Sequence, residues 1–206
     1  GIPHDDMKTV YLLHGITDNG THWSRLSRVE LYARKHNVAV FMPEAQRSFY
    51  TDMKFGPSYF SYVTDGLMRF SHEMFGLPND PEHSYVMGLS MGGYGALKCA
   101  LTYPERYAGC ASFSACCDMQ DNVDHPTVYG ATKEEMQGIF GLDGIIGPKN
   151  DVFALAEKSA DAPKKPRFFV SCGFEDAFIN QNRRFRDFLK ERGYDVEFQE
   201  WKDGHT

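Results

Sequence analysis

Gly88-Leu-Ser-Met-Gly92 sets a serine between two glycines in the spacing G-x-S-x-G, with a short apolar run before it and an amphipathic stretch after it. Between a strand and a helix that pattern makes a sharp turn, which holds the Ser90 hydroxyl clear of the backbone as a nucleophile. The glycines let strand and helix approach closely while the serine is kept in an unfavourable backbone conformation. An ordinary serine in a Gly-rich turn is the plain alternative, and the flanking strand and helix weigh against it. A hydroxyl is a poor nucleophile near neutral pH. Ser90 therefore requires a base within hydrogen-bond reach and a third group that orients the base.

On such a turn the partners follow in the order Ser, Asp or Glu, then His. Two histidines lie beyond Ser90. His125 sits in an irregular stretch beside Pro126, whereas His205 ends the loop Lys202-Asp-Gly-His205 after the last apolar run, so His205 is the expected base. The acid is expected in Phe174-Glu175-Asp176, a tight turn directly after residues 168–173. Asp176 is preferred and Glu175 competes with it, since either residue type can orient the base. Asp203 lies too near His205 in a short turn. A tetrahedral intermediate also needs backbone N–H donors for its oxyanion. These are expected at Met91, just after the nucleophile, and at Ile16 in His14-Gly15-Ile16-Thr17. His14 precedes the donor position and is expected to be structural.

The elements that must position these groups read as six strands at residues 9–13, 38–42, 84–88, 107–113, 167–172 and 195–201, mostly apolar runs bounded by turn residues, the last one alternating apolar and polar. Amphipathic stretches at 23–35, 59–75, 91–102 and 178–192 read as helices between them. This alternation predicts an α/β fold, a mostly parallel central sheet with helices on both faces. Open sheets of this class bind ligands outside the carboxyl ends of their strands, which is where the candidate residues fall. Residues 116–150 break into Gly, Asp and short apolar pieces. A small insertion over the strand ends, in the place of a lid, is expected there within one domain spanning 1–206.

At 206 residues, with 42% hydrophobic and 24% charged side chains, the chain can bury one core without disulfides or metals. Its net charge of -6 comes from 28 acidic and 22 basic residues without a long block of one sign, which argues against a nucleic-acid surface. No apolar run nears the roughly 20 residues of a membrane-spanning helix. Five cysteines without a C-x-x-C spacing, two of them the adjacent Cys116 and Cys117, point to reduced thiols rather than redox or zinc chemistry. No metal or cofactor is expected. The chain starts at Gly1 without a leader pattern and stops one residue after His205. Trimmed ends and a cytoplasmic location are the corresponding expectations.

The stretches Tyr11-Leu-Leu-His-Gly15, Tyr50-Thr-Asp-Met53, Gly88-Leu-Ser-Met-Gly-Gly-Tyr-Gly95, Cys172-Gly173 with Glu175-Asp176, and Asp203-Gly-His205 together resemble one esterase family of α/β-hydrolases. It includes esterase D (S-formylglutathione hydrolase), tributyrin esterases, feruloyl esterases and, more distantly, mycolyltransferases. The resemblance covers nearly the whole chain and is nearest to the tributyrin esterase branch, which acts on short-chain acyl esters. It implies an α/β-hydrolase fold, a Ser90-Asp176-His205 triad with Ile16 and Met91 as oxyanion donors, a small-molecule ester as substrate and, as is common in such families, a homo-oligomer. Family members usually carry further strands before the first one and a closing helix after the histidine.

Weaker signals remain open. Phe49, Tyr50, Phe55, Tyr59 and Phe60 could line an acyl or aryl pocket, with Gly15, Tyr50 and Phe55 as candidate substrate contacts, although aromatics are more often plain core. Asp118, Asp121, Asp124 and His125 lack the spacing of a calcium loop and read better as a solvated, helix-capping stretch. Asn19-Gly-Thr21 fits a glycosylation pattern, but a glycan there would crowd the oxyanion loop. Three functions are carried: a hydrolase that splits its acyl-enzyme with water, an acyltransferase that uses another alcohol, and a non-catalytic receptor. The receptor fits poorly, since no triad position is substituted.

Overall fold

The computed structural model describes residues 6–126 and 130–205. They form a six-stranded sheet in the order β2-β1-β3-β4-β5-β6, with every neighbouring pair parallel. The strands are β1 (Lys8–Leu13), β2 (Val38–Phe41), β3 (Ser84–Leu89), β4 (Gly109–Phe113), β5 (Arg167–Gly173) and β6 (Val196–Trp201). All six coincide with the expected strand segments, β6 as an alternating one. A parallel strand is covered on both faces and so reads as continuous hydrophobicity; β1 is buried at every position after Lys8. From β1 the chain runs out to β2 and returns to β3 on the other side of β1. That reversal leaves a crevice at the ends of β1 and β3.

Helix α5 (Met91–Thr102) is buried from Met91 to Leu101 and packs on β1, β3 and β4. It is apolar around its circumference, as a helix enclosed by the core must be. The exception is Lys98, only 2% exposed, which donates to Thr51 Oγ1 at 2.9 Å and Asn150 Oδ1 at 2.8 Å. Tyr11, Tyr50, Tyr94, Phe168 and Phe185 are among the largest fully buried side chains.

Three helical readings are refined. The stretch 23–35 breaks into α1 (His22–Leu26) and α2 (Val29–His36), because Ser27 is extended and turns its hydroxyl back to the Trp23 carbonyl, a local bond that competes with the helix. The stretch 59–75 is α3 (Tyr59–Ser61) and α4 (Met68–Phe75) joined by a π-helical segment, Tyr62–Leu67. Within the insertion, α6 (Met119–Asp124) and α7 (Lys133–Phe140) are regular, and α8 (Val152–Lys158) follows it. The capping box Thr132-x-x-Glu135 that starts α7 was a readable sequence signal. Asp118 caps α6 and meets Arg184, while Asp121 pairs with His125 at 3.0 Å and accepts from Gln181. Helix α9 (Ile179–Glu191) leads to β6.

Candidate active site

Ser90 joins β3 to α5 with φ 58° and ψ -117°, a conformation that costs a non-glycine residue about 1–3 kcal/mol and persists only where its surroundings enforce it. The surroundings here are tight. A Cβ on Gly88 would lie 2.3 Å from the Gly92 backbone, and one on Gly92 would lie 2.3 Å from the Leu13 carbonyl oxygen. The Ser90 N–H donates to the Phe113 carbonyl at 2.8 Å and its carbonyl accepts from the Tyr94 N–H at 3.0 Å. Met91 opens α5, so its N–H belongs to the first helical turn, where backbone donors lack an intrahelical acceptor.

Asp176 and His205 come together across two loops. His205 Nδ1 lies 2.9 Å from Asp176 Oδ2, and the other carboxylate oxygen accepts the Phe178 N–H at 2.8 Å. The Cys172 thiol and the Ser114 hydroxyl also bond to this carboxylate. Burial raises the Asp176 carboxyl, but the bonds from His205 and Phe178 outweigh it and hold it below the ordinary carboxylate range. An ionised carboxylate only accepts, so Nδ1 carries the proton and Nε2 is left basic. The His205 ring also packs against Phe178, centroids 5.2 Å apart. Its loop is pressed onto the end of β5, where Glu175 N–H donates to the Asp203 carbonyl at 3.1 Å. A Cβ on Gly173 would stand 2.2 Å from that same oxygen. Glu175 itself is exposed on the cleft wall. His125 lies on the insertion, 64% exposed and paired with Asp121.

The loop after β1 is held peptide by peptide. His14 is buried; its Nδ1 donates to the Gly15 carbonyl at 2.8 Å and its Nε2 accepts the Ala45 N–H at 3.1 Å, which fixes a neutral tautomer and a structural role. In a trans peptide the carbonyl and the following N–H point in opposite directions. Fixing the Gly15 carbonyl, which also accepts from Asp18 N–H at 3.1 Å, therefore fixes the direction of the Ile16 N–H. The Asp18 carboxylate takes the Gly15 N–H at 3.2 Å and pairs with His22 Nδ1 at 2.9 Å.

These pieces share one cleft of about 530 Å³ whose walls include Gly15, Ile16, Ser90, Asp176, Phe178 and His205. Tyr50 and Phe55, expected on the pocket wall, are placed elsewhere. Tyr50 is fully buried beneath the loop after β1, donating its hydroxyl to the His14 carbonyl at 3.0 Å. Phe55 is 61% exposed, with its backbone N–H bonded to the Gly138 carbonyl. Three supporting residues escaped the sequence reading: Ser114, Cys172 and Arg47, whose guanidinium donates to the Ile16 carbonyl at 3.2 Å. Chemically, the cleft brings together a serine hydroxyl and an imidazole hydrogen-bonded to a carboxylate.

Comparison with known proteins identifies the family. The family model described as "Putative esterase" matches residues 3–202. An acetyl esterase of Caldicellulosiruptor saccharolyticus is 32% identical over 99% of this chain and 79% of its own length. The S-formylglutathione hydrolase of Bos taurus is 26% identical over 86% of this chain and 67% of its own. Among solved structures, the Staphylococcus aureus fluorophosphonate-binding serine hydrolase FphF superposes with a TM-score of 0.89 at 29% identity, covering 98% of this chain and 78% of that one. With that match over almost its whole length, on an α/β-hydrolase sheet and around a serine elbow, the chain belongs to this esterase family and is a carboxylic ester hydrolase.

Proposed function

We propose that the chain hydrolyses short-chain acyl esters, acetyl esters first among them, with Ser90, His205 and Asp176 as its triad and the Ile16 and Met91 N–H groups as its oxyanion hole. The observation that carries this reading is the 2.9 Å Asp176–His205 bond at the rim of the cleft that holds Ser90. Ser90 Oγ attacks the ester carbonyl while His205 Nε2 takes its proton, and the carbonyl electron pair moves onto oxygen at the two N–H donors. Collapse of the adduct expels the alcohol, protonated by His205, and leaves an acyl-serine. Water, deprotonated by His205, then attacks the acyl-serine; collapse of the adduct breaks the bond to Ser90 Oγ, which takes the proton back from His205, and the acid leaves. Asp176 holds the Nδ1–H tautomer throughout and stabilises the imidazolium.

The acetyl preference draws on the relative at 32% identity. A second reading, thioester hydrolysis of the S-formylglutathione kind, draws on the relative at 26% and uses the same steps with a thiol leaving group. A reducing compartment such as the cytoplasm suits the five buried free thiols. The test is a p-nitrophenyl ester series from acetate to long chains, together with S-formylglutathione and methyl ferulate. Ser90→Ala serves as control and is expected to lose about 10⁴-fold or more in kcat/KM. A folded wild-type protein that forms no acyl-enzyme with any of them would refute the reading. Product analysis with added alcohols separates hydrolysis from acyl transfer.

A further inference from the structure

We propose that Arg47 is a positioning residue of the oxyanion loop and that Glu135 of the insertion locks it, so that docking of the insertion and the acyl-transfer step are coupled; this rests on the reading of Ile16 as an oxyanion donor. Arg47 joins three segments distant in sequence. Its Nη1 donates to the Ile16 carbonyl at 3.2 Å, its Nη2 donates to the Gly130 carbonyl at 2.6 Å, and Nε and Nη2 fork onto the two carboxylate oxygens of Glu135. Ile16 and Gly130 both line the cleft with Ser90.

The peptide planes on either side of Ile16 are thereby pinned by different residues. The plane before it is held at the Gly15 carbonyl by His14 and the Asp18 N–H. The plane after it is held at the Ile16 carbonyl by Arg47. The Ile16 N–H belongs to the first plane and is aimed by the Gly15 carbonyl. The Arg47 bond holds the second plane, and with both planes held the loop cannot pivot about Ile16 and carry that N–H away from Ser90. Glu135 is in turn immobilised from behind. Its Oε2 accepts the Thr132 N–H at 2.7 Å and its own N–H donates to Thr132 Oγ1 at 3.2 Å, closing the capping box of α7. The far end of α7 is sewn to the loop that carries Arg47, through Lys54 N–H to the Ile139 carbonyl at 2.8 Å and Phe55 N–H to the Gly138 carbonyl at 2.9 Å.

Two features favour geometry over stability as the purpose of this pair. The side chains are 39% and 32% exposed, a setting in which an ion pair contributes little to folding. A planar five-donor fork can satisfy two carbonyls and a carboxylate at once, which a lysine cannot.

The test uses the whole chain carrying Arg47→Lys or Glu135→Gln, assayed with p-nitrophenyl acetate and butyrate. Steady-state constants, the single-turnover acylation rate and the affinity of a boronic acid, which forms a tetrahedral adduct on the serine, are measured. Arg47→Lys is expected to slow acylation and kcat by about 10- to 100-fold, the range for misplacing one oxyanion donor. KM should move less than about 2-fold, and the boronic acid should weaken by a factor similar to that in kcat. Glu135→Gln should move the same readouts in the same direction by less. A folded Arg47→Lys protein with the wild-type acylation rate and boronate affinity overturns the proposal, as does a loss confined to KM. Should Arg47→Lys not fold, Glu135→Gln decides by the same readouts. Failure of the underlying reading looks different, because the wild type itself would then form no acyl-serine.

Discussion

Ser90 stores strain in its own backbone, at φ 58°, and that strain can be separated from its chemistry. Glycine tolerates this conformation and alanine does not, so Ser90→Gly should be about 1 kcal/mol more stable than Ser90→Ala by urea denaturation, although both are inactive. Equal stabilities would mean that the elbow is not strained. Asp176 makes a prediction in pH. Its carboxyl is depressed in the folded state, so its contribution is fully present above its unfolded pKa and is lost as pH falls through the lower folded value. The stability gap between wild type and Asp176→Asn should hold steady from neutral pH to about pH 5 and narrow below it. A gap independent of pH would contradict this. The candidates Ser90, Asp176 and His205 could be picked out in the sequence because each closely follows a strand segment and their chain order is constrained. Arg47 was not, because its partners lie 31, 83 and 88 residues away and no periodicity announces them.

Among the elements, α5 follows directly on Ser90 and carries a buried lysine two turns on. Burial lowers the Lys98 pKa to about 7. Between that value and the ordinary lysine value the unfolded chain binds the proton that the folded one has released, so Lys98 makes stability rise with pH across this interval. The urea midpoint of wild type relative to Lys98→Met should climb from pH 7 to about pH 10, and a flat difference would show that Lys98 stays charged when buried. All six strands match the reading to within two residues, the partly exposed edge strands β2 and β6 as closely as the enclosed β1, β3 and β5, and α5 matches at both ends. The reading was weakest where amphipathic spacing is broken by local hydrogen bonds, as at Ser27, or hidden in a Gly- and Asp-rich stretch, as at α7. The join between β5 and the His205 loop gives a further prediction. Gly173→Ala should cost about 1–3 kcal/mol through overpacking against Asp203, and should lower kcat more than a remote substitution of equal cost, because it displaces His205. Activity that falls only in step with stability would show the displacement to be harmless.

For the molecule as a whole, Leu31, Tyr32, Phe70, Met74 and Phe75 remain exposed, and the net charge of -6 opposes contact between such faces on neighbouring molecules. Self-association measured by light scattering should therefore peak near the isoelectric point of about 5.7 and fall at pH 8. A signal that does not vary with pH would assign association to apolar contact alone. The order of strands has another outcome. Ser90 follows β3, inside the sheet, and Asp176 follows β5, whereas His205 follows β6, which among the described residues is paired on one side only. Edge elements open at lower free energy than the core they flank. With His205 as the proposed base, mild denaturant should silence the enzyme by fraying β6, with the fluorescence of the core unchanged and activity returning at once on dilution. On that reading β6 and the His205 loop act as a fuse that disarms the serine before the fold is lost.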